Sequence, residues 1–216
     1  SDPFVYVAVG TAGVSVVKLL DAPSASGPAA QLVTTLALPA ARDATEVVLA
    51  GDILYVGTQQ GTVEVLDLSK PDAPTHAASV TVGAAVTGLA VSGFVLYGAT
   101  PSGIAVLSLA DPKNPTTPAG ATSVIGLPGI AARELTVYGA HLFVAAGAGG
   151  VIDVDIAVPA APVNLGNLAA TLAPGQPINA NDVSVSRLPG QTWIMVADAT
   201  GDLWGLKLDG KQTVRE

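Results

Sequence analysis

The sequence predicts an all-β fold: a β-propeller of about five four-stranded antiparallel blades, or an arc of a larger ring. Three observations point there. A string of short apolar runs, Gly turns and a closing Pro pair returns through the chain, with its aromatic or large anchor at Tyr6, Tyr55, Tyr97, Phe143 and Met195, 42 to 52 residues apart. Gly (24) and Pro (16) are plentiful, which implies many turns. No window has the spacing of a helix of three or more turns.

The repeats justify the elements in order. The approximate units are 1–43, 44–85, 86–131, 132–180 and 181–216, read together as one domain. The first, "VYVAVGTAGVSVVKLLDAP" from Val5 to Pro23, begins at its second strand, Phe4 to Val9. The next opens with "TEVVLAG" (Thr45 to Gly51) and continues as "LYVGTQQGTVEVLDLSKPDAP" (Leu54 to Pro74). A less regular outer strand follows in "HAASVTV", His76 to Val82. The third pairs "TGLAVSG" (Thr87 to Gly93) with "LYGATPSGIAVLSLADPKNP" (Leu96 to Pro115). The fourth pairs "RELTVYG" (Arg133 to Gly139) with "LFVAAGAGGVIDVDIAVPAAP" (Leu142 to Pro162). The last is degenerate, with "DVSVSRLPG" (Asp182 to Gly190) and "IMVADATGDLWGLKLDG" (Ile194 to Gly210).

Each mark has a physical reason. Gly supplies positive φ in tight hairpin turns. Continuous runs of Val, Ile, Leu and Tyr suit strands buried on both faces. Pro71 and Pro74 cannot donate to a ladder, so they belong in the loop after a third strand. A single blade cannot bury both its faces, so blades stack. No C-terminal segment supplies the first strand missing from unit one. Either five blades close imperfectly, or they are consecutive blades of a larger ring. The chain opens on Ser1 without a signal-peptide pattern, which points to a processed form or a piece of something longer.

Composition excludes several classes. Half of the 216 residues are apolar and 12% are charged, so the chain has apolar surface to bury and is not disordered. Net charge is −8, with nine scattered Lys and Arg. That leaves no cationic footprint for nucleic acid and no polybasic patch for a membrane surface. With no Cys there is no disulfide frame, thiolate site or Cys nucleophile. Ala77 to Ala110 is uncharged and long enough to span a bilayer, but glycines break it in register with the repeats. It reads as buried β-structure, with no membrane span.

The strings "VSGFVLYGATPSGIAVLSLADPKNP" (Val91 to Pro115) and "LAGDILYVGTQQGTVEVLDLSKPDAP" (Leu49 to Pro74) resemble the LVIVD-type propeller repeat of bacterial proteins. The resemblance covers nearly the whole chain and is strongest in the second to fourth units. It implies a surface or secreted scaffold, with no single activity shared by the family. The family's third-strand Asp is Asp67 and Asp155 here, and Ser108, Lys18 and Lys207 in the other units.

Aligning the first strands gives the best functional candidate. Glu46, Glu134 and Asp182 start three of them at equivalent positions, and Gly88 fills the fourth. The first strand of a blade lies nearest the axis, so these carboxylates would gather at one channel mouth. There they could hold a hard cation such as Ca²⁺, or serve as an acid and base pair. The alternative is that each accepts backbone N–H bonds at a strand start, or pairs with Arg42 or Arg133. Asp153 and Asp155 share a strand face and are either cation ligands or solvated charge. The "DATGD" turn, Asp198 to Asp202, is a loose Ca²⁺ loop or an ordinary Asp-Gly turn.

Other motifs yield less. The "GAGG" at Gly147 to Gly150 opens a strand, where a phosphate loop must open a helix. His76 and His141 occupy different places in the repeat, against a joint metal site. No serine lies in a G-x-S-x-G elbow. Trp193 and Trp204 flank the last hairpin, as core filler or as a stacking pair. Asn114 precedes Pro115, so "NPT" is no glycosylation acceptor.

The expectation is a non-catalytic propeller that mediates protein–protein binding or assembly, extracellular or at a cell surface, without a resident cofactor. A protein partner comes first and a glycan second. The alternative is a lactonase- or glycosidase-like hydrolase that uses Glu46, Glu134 and Asp182 at the channel mouth.

Overall fold

The computed structural model describes residues 3–20, 29–117, 124–127, 131–159, 161–169, 171–173 and 176–208. They are antiparallel β-sheets, with no α-helix among the described residues. The chain divides into two compact units, residues 1–86 with 109–116, and residues 87–108 with 117–216.

The first compact unit holds two sheets. The first sheet is β1 (Phe4–Ala8), β2 (Val14–Leu19) and β3 (Ala30–Leu36). The second is β4 (Ala44–Ala50), β5 (Ile53–Thr58), β6 (Thr62–Asp67) and β7 (Thr75–Thr81). Between them lies a single 3₁₀ turn, Pro39–Ala41, which the sequence did not announce. Its Ala40 and Ala41 take φ of 56° and 51°, a left-handed region that L residues avoid. The turn delivers Arg42 to the second sheet.

The second compact unit holds the third sheet, β8 (Gly88–Ser92), β9 (Val95–Thr100), β10 (Gly103–Ser108) and β11 (Val124–Gly126). The fourth is β12 (Glu134–Tyr138), β13 (His141–Ala145), β14 (Val151–Asp155) and β15 (Val163–Ala169). A short hairpin of β16 (Thr171–Ala173) and β17 (Gln176–Pro177) follows, also unannounced by the repeat pattern. The fifth sheet is β18 (Ala180–Leu188), β19 (Gln191–Asp198) and β20 (Leu203–Leu208).

The middle repeats thus form the four-stranded sheets expected of them. The first sheet starts at the repeat's second strand, as the sequence indicated. β5, β6, β9 and β10 are buried along nearly their whole length, which is why they read as continuous apolar runs rather than alternating ones.

Each sheet has two faces, set by the two-residue period of its strands. The anchor face carries Tyr6, Tyr55, Tyr97, Phe143 or Met195. The back face carries the residues either side of the anchor. In the first compact unit Tyr6, Ala8, Val14 and Leu36 pack on Leu54, Val56, Leu66 and Leu68, so an anchor face covers the next back face. In the second, Tyr97, Ile104 and Val106 pack with Leu142, Val144 and Ile152. Phe143 and Val151 then pack with Ile194, Val196 and Leu206.

Tyrosine hydroxyls lock this packing. Tyr6 donates to the Pro71 carbonyl at 3.0 Å, Tyr55 to Pro112 at 2.8 Å and Tyr97 to Pro159 at 2.7 Å. Each acceptor lies in the Pro loop after the third strand of the following repeat. The repeat's aromatic and its proline are therefore two halves of one contact.

Candidate functional site

The first-strand positions aligned in the sequence are equivalent in register. Glu46 faces Gly57, Gly88 faces Ala99, Glu134 faces Ala145 and Asp182 faces Ala197 across their ladders. Each partner lies two residues beyond its anchor. Glu46 and Glu134 each turn Oε1 back to accept the N–H of the next residue, Val47 at 3.0 Å and Leu135 at 2.9 Å. This is the backbone-accepting arrangement weighed in the sequence. Asp182 is exposed. Gly88 is glycine for a packing reason. A Cβ there would lie 2.8 Å from the Glu134 Cα and 2.7 Å from its Oε1. Among the described residues, no three His, Asp or Glu side chains are grouped to hold a metal ion.

The two arginines named in the sequence each reach another polar side chain. Arg42 pairs with Glu64 at 2.6 Å, and Arg133 donates to Asn181 Oδ1. Glu64 was not singled out by the motif reading, yet it is the most buried acid described. It lies in "TVEVL" on β6, fully buried, on the face that carries Leu66 and Leu68. A charged residue inside an apolar strand was the available signal.

Four donors converge on Glu64. Oε1 accepts from Arg42 at 2.6 Å and from Thr62 Oγ1 at 2.7 Å. Oε2 accepts from Ser79 Oγ at 2.5 Å and meets His76 Nε2 at 2.9 Å. Thr58 and Thr62 close the network at the β5–β6 turn through a 2.8 Å hydroxyl contact. A carboxylate offers about four lone-pair sites, so this one is saturated. Burial alone would raise its pKa. Hydrogen bonds from Ser79, Thr62 and His76, with the Arg42 charge, outweigh burial and hold it below the usual range.

Ser79, His76 and Glu64 contain the residue types of a hydrolytic triad but not its wiring. A relay needs serine on one imidazole nitrogen and the acid on the other. Here Nε2 faces both Glu64 at 2.9 Å and Ser79 at 3.2 Å. The arrangement binds strands together and cannot pass a proton through the ring.

In the second compact unit, Asp153 is buried and meets His141 Nδ1 at 2.9 Å, with the imidazole stacked on Phe143. Asp153 is therefore not the solvated charge considered above. Asp155 accepts the Ala157 N–H at 2.7 Å, as Asp67 accepts that of Ser69 at 2.8 Å. The recurring third-strand Asp thus shapes the turn into the Pro loop. Asp67 also binds Lys113 at 2.5 Å. In the "DATGD" turn, Asp198 accepts from the Thr200 N–H, the Asn179 N–H and the Thr200 hydroxyl. Those bonds, led by the Thr200 N–H, hold its carboxyl below the usual range. Trp204 packs into the core, while Trp193 lies under Lys207, whose Nζ is 5.9 Å from the ring centroid. "GAGG" turns into β14, with no helix behind it.

Solved structures share this fold. The computationally designed protein Ika8 matches 99% of this chain with a TM-score of 0.59 and 16% identity. The chain spans 61% of Ika8's length. The designed protein Ika4 matches 76% of this chain over 91% of its own, with a TM-score of 0.54 and 12% identity. In all, 423 solved chains match, so the fold is too widely used to assign an activity. No curated protein matches the chain in sequence. No described helix is long and apolar enough to cross a membrane. The LVIVD repeat profile matches residues 41–82 and 129–169, so the second and fourth repeats are LVIVD repeats.

Proposed function

We propose that the chain is a non-catalytic β-propeller scaffold that mediates protein–protein binding or assembly, at a cell surface or in an extracellular complex. The repeated sheets are its blades. The observation that carries this reading is the state of the buried carboxylates. Glu64, Asp153 and Asp198 are each held by the protein's own donors, and Glu46 and Glu134 fold onto their own backbone. Acids fixed this way tie strands together. The LVIVD repeats and the sparse surface charge agree with a scaffold. A protein is the favoured partner and a glycan the second.

The hydrolase alternative supplies the test. Purified chain is offered lactone and aryl-glycoside substrates with and without Ca²⁺, beside a Glu46→Gln, Glu134→Gln, Asp182→Asn triple variant. The scaffold reading expects no turnover above buffer and no difference between the proteins. Turnover that the triple variant abolishes would overturn it. In the same samples, Ca²⁺ and chelator are expected to leave the melting temperature unchanged, since a bound ion would raise it by mass action.

A further inference from the structure

Among the described residues, the back face of the first sheet stands apart from the packing rule. Leu54 and Val56, either side of Tyr55, are 1% and 0% exposed beneath the first sheet's anchor face. Leu142 and Val144, either side of Phe143, are also fully buried, as are Ile194 and Val196 beside Met195. Val5 and Val7 hold the same positions around Tyr6, yet each is 40% exposed. Val9 continues the row, and Leu32 joins it across β2, where Val17 pairs with both Val5 and Leu32. This back face carries no charge. It has the chemistry of the buried faces, without a cover.

The cover such a face takes is shown three times over: the anchor face of another sheet. In the described chain, the first, third and fourth sheets have anchor faces already packed on a following sheet. The fifth sheet's anchor face is different. Trp193, Met195 and Ala197 are only half-buried there, and Leu203 is exposed. Gly205 leaves a shallow floor beside Trp193, since a Cβ at that position would come within 3.2 Å of the ring. Its charged groups, Asp182 and Lys207, lie toward opposite ends.

We infer that the back face of β1–β3 docks the β18–β20 anchor face of a second copy of this chain. The contact joins two different surfaces, so it runs head to tail and builds a ring or a filament. This deepens the scaffold reading, on which it rests, by naming a second copy as the partner.

Light scattering across a concentration series tests it. The chain is expected to exceed monomer mass as concentration rises. Val7→Glu and Met195→Glu each remove one of the two surfaces, so each variant alone is expected to stay monomeric. Mixed, they retain one complementary pair and should form a heterodimer that grows no further. Because the chain has no Cys, a Val7→Cys chain and a Met195→Cys chain give a second readout that does not depend on a charged residue being tolerated. Oxidised together, they should give the mixed disulfide well above a statistical yield. A monomer at every concentration, failure of the mixed variants to pair, or statistical cross-linking would each overturn the inference. The scaffold reading would survive those results with a different partner, and it falls only to the hydrolysis assay.

Discussion

Glu64 sits where an apolar strand residue would ordinarily be, and its surroundings make it an anchor rather than a reagent. Removing the charge leaves Arg42, 24% exposed, without its partner, and strands the donors of Ser79 and His76. Breaking a buried ion pair from one side costs about 3–5 kcal/mol, and the partial exposure of Arg42 favours the lower end. Glu64→Gln is therefore expected to lower unfolding stability by about 3 kcal/mol in urea melts. A loss below about 1 kcal/mol would mean that the pair behaves like an exposed one. Gly88 teaches the complementary lesson. It fills the fourth of the aligned first-strand positions, and the nearness of the Glu134 backbone explains why no side chain stands there. The alignment of those positions was legible in the sequence. The way each side chain bends was not, because an acid near a strand start can aim outward or fold onto its own backbone with the same letters.

At the scale of the element, the repeat string turned out to encode contacts as well as turns. Its Gly positions and Pro loop were readable because backbone geometry demands particular residues there. The reach of each tyrosine hydroxyl to a proline carbonyl was not, since it joins residues 57 to 65 positions apart. It leaves a trace in hindsight. The fourth anchor is Phe143, which has no hydroxyl, and the segment after Leu208 contains no Pro. Aromatic and loop change together. The 3₁₀ turn stayed hidden because "LPAAR" has no Gly or Asn to announce left-handed residues. Tyr97→Phe keeps the packing of the ring and removes only the donor to Pro159. It is expected to lower stability by about 1 kcal/mol, read as a shift in the urea midpoint without a change in slope. A neutral result would mean that water satisfies that carbonyl equally well.

For the whole molecule, the two kinds of buried polar contact limit stability from opposite sides of the pH scale. Glu64 titrates below its ordinary 4.5 in the folded chain. Its contribution is present above that value and is lost as pH falls through the folded pKa. Asp67, led by the Lys113 hydrogen bond, Asp111, led by that of Asn114, and Asp198 shift in the same direction. The tyrosines act at the other end. Desolvation pushes Tyr55 and Tyr97 up to about 12 and raises Tyr6 from the usual 10.0. Their contribution is complete below pH 10.0 and is lost as pH rises toward 12. Melting temperature against pH should therefore be a plateau with one acid limb and one alkaline limb. Tyr55→Phe with Tyr97→Phe should make the alkaline limb shallower and leave the acid limb in place, while Glu64→Gln should make the acid limb shallower, with Asp67, Asp111 and Asp198 still contributing to it, and leave the alkaline limb in place. Both limbs moving together in either variant would mean that the network and the tyrosine contacts do not act independently. Separate limbs would fit a scaffold in which saturated acids hold strands within a sheet and tyrosines hold one repeat to the next.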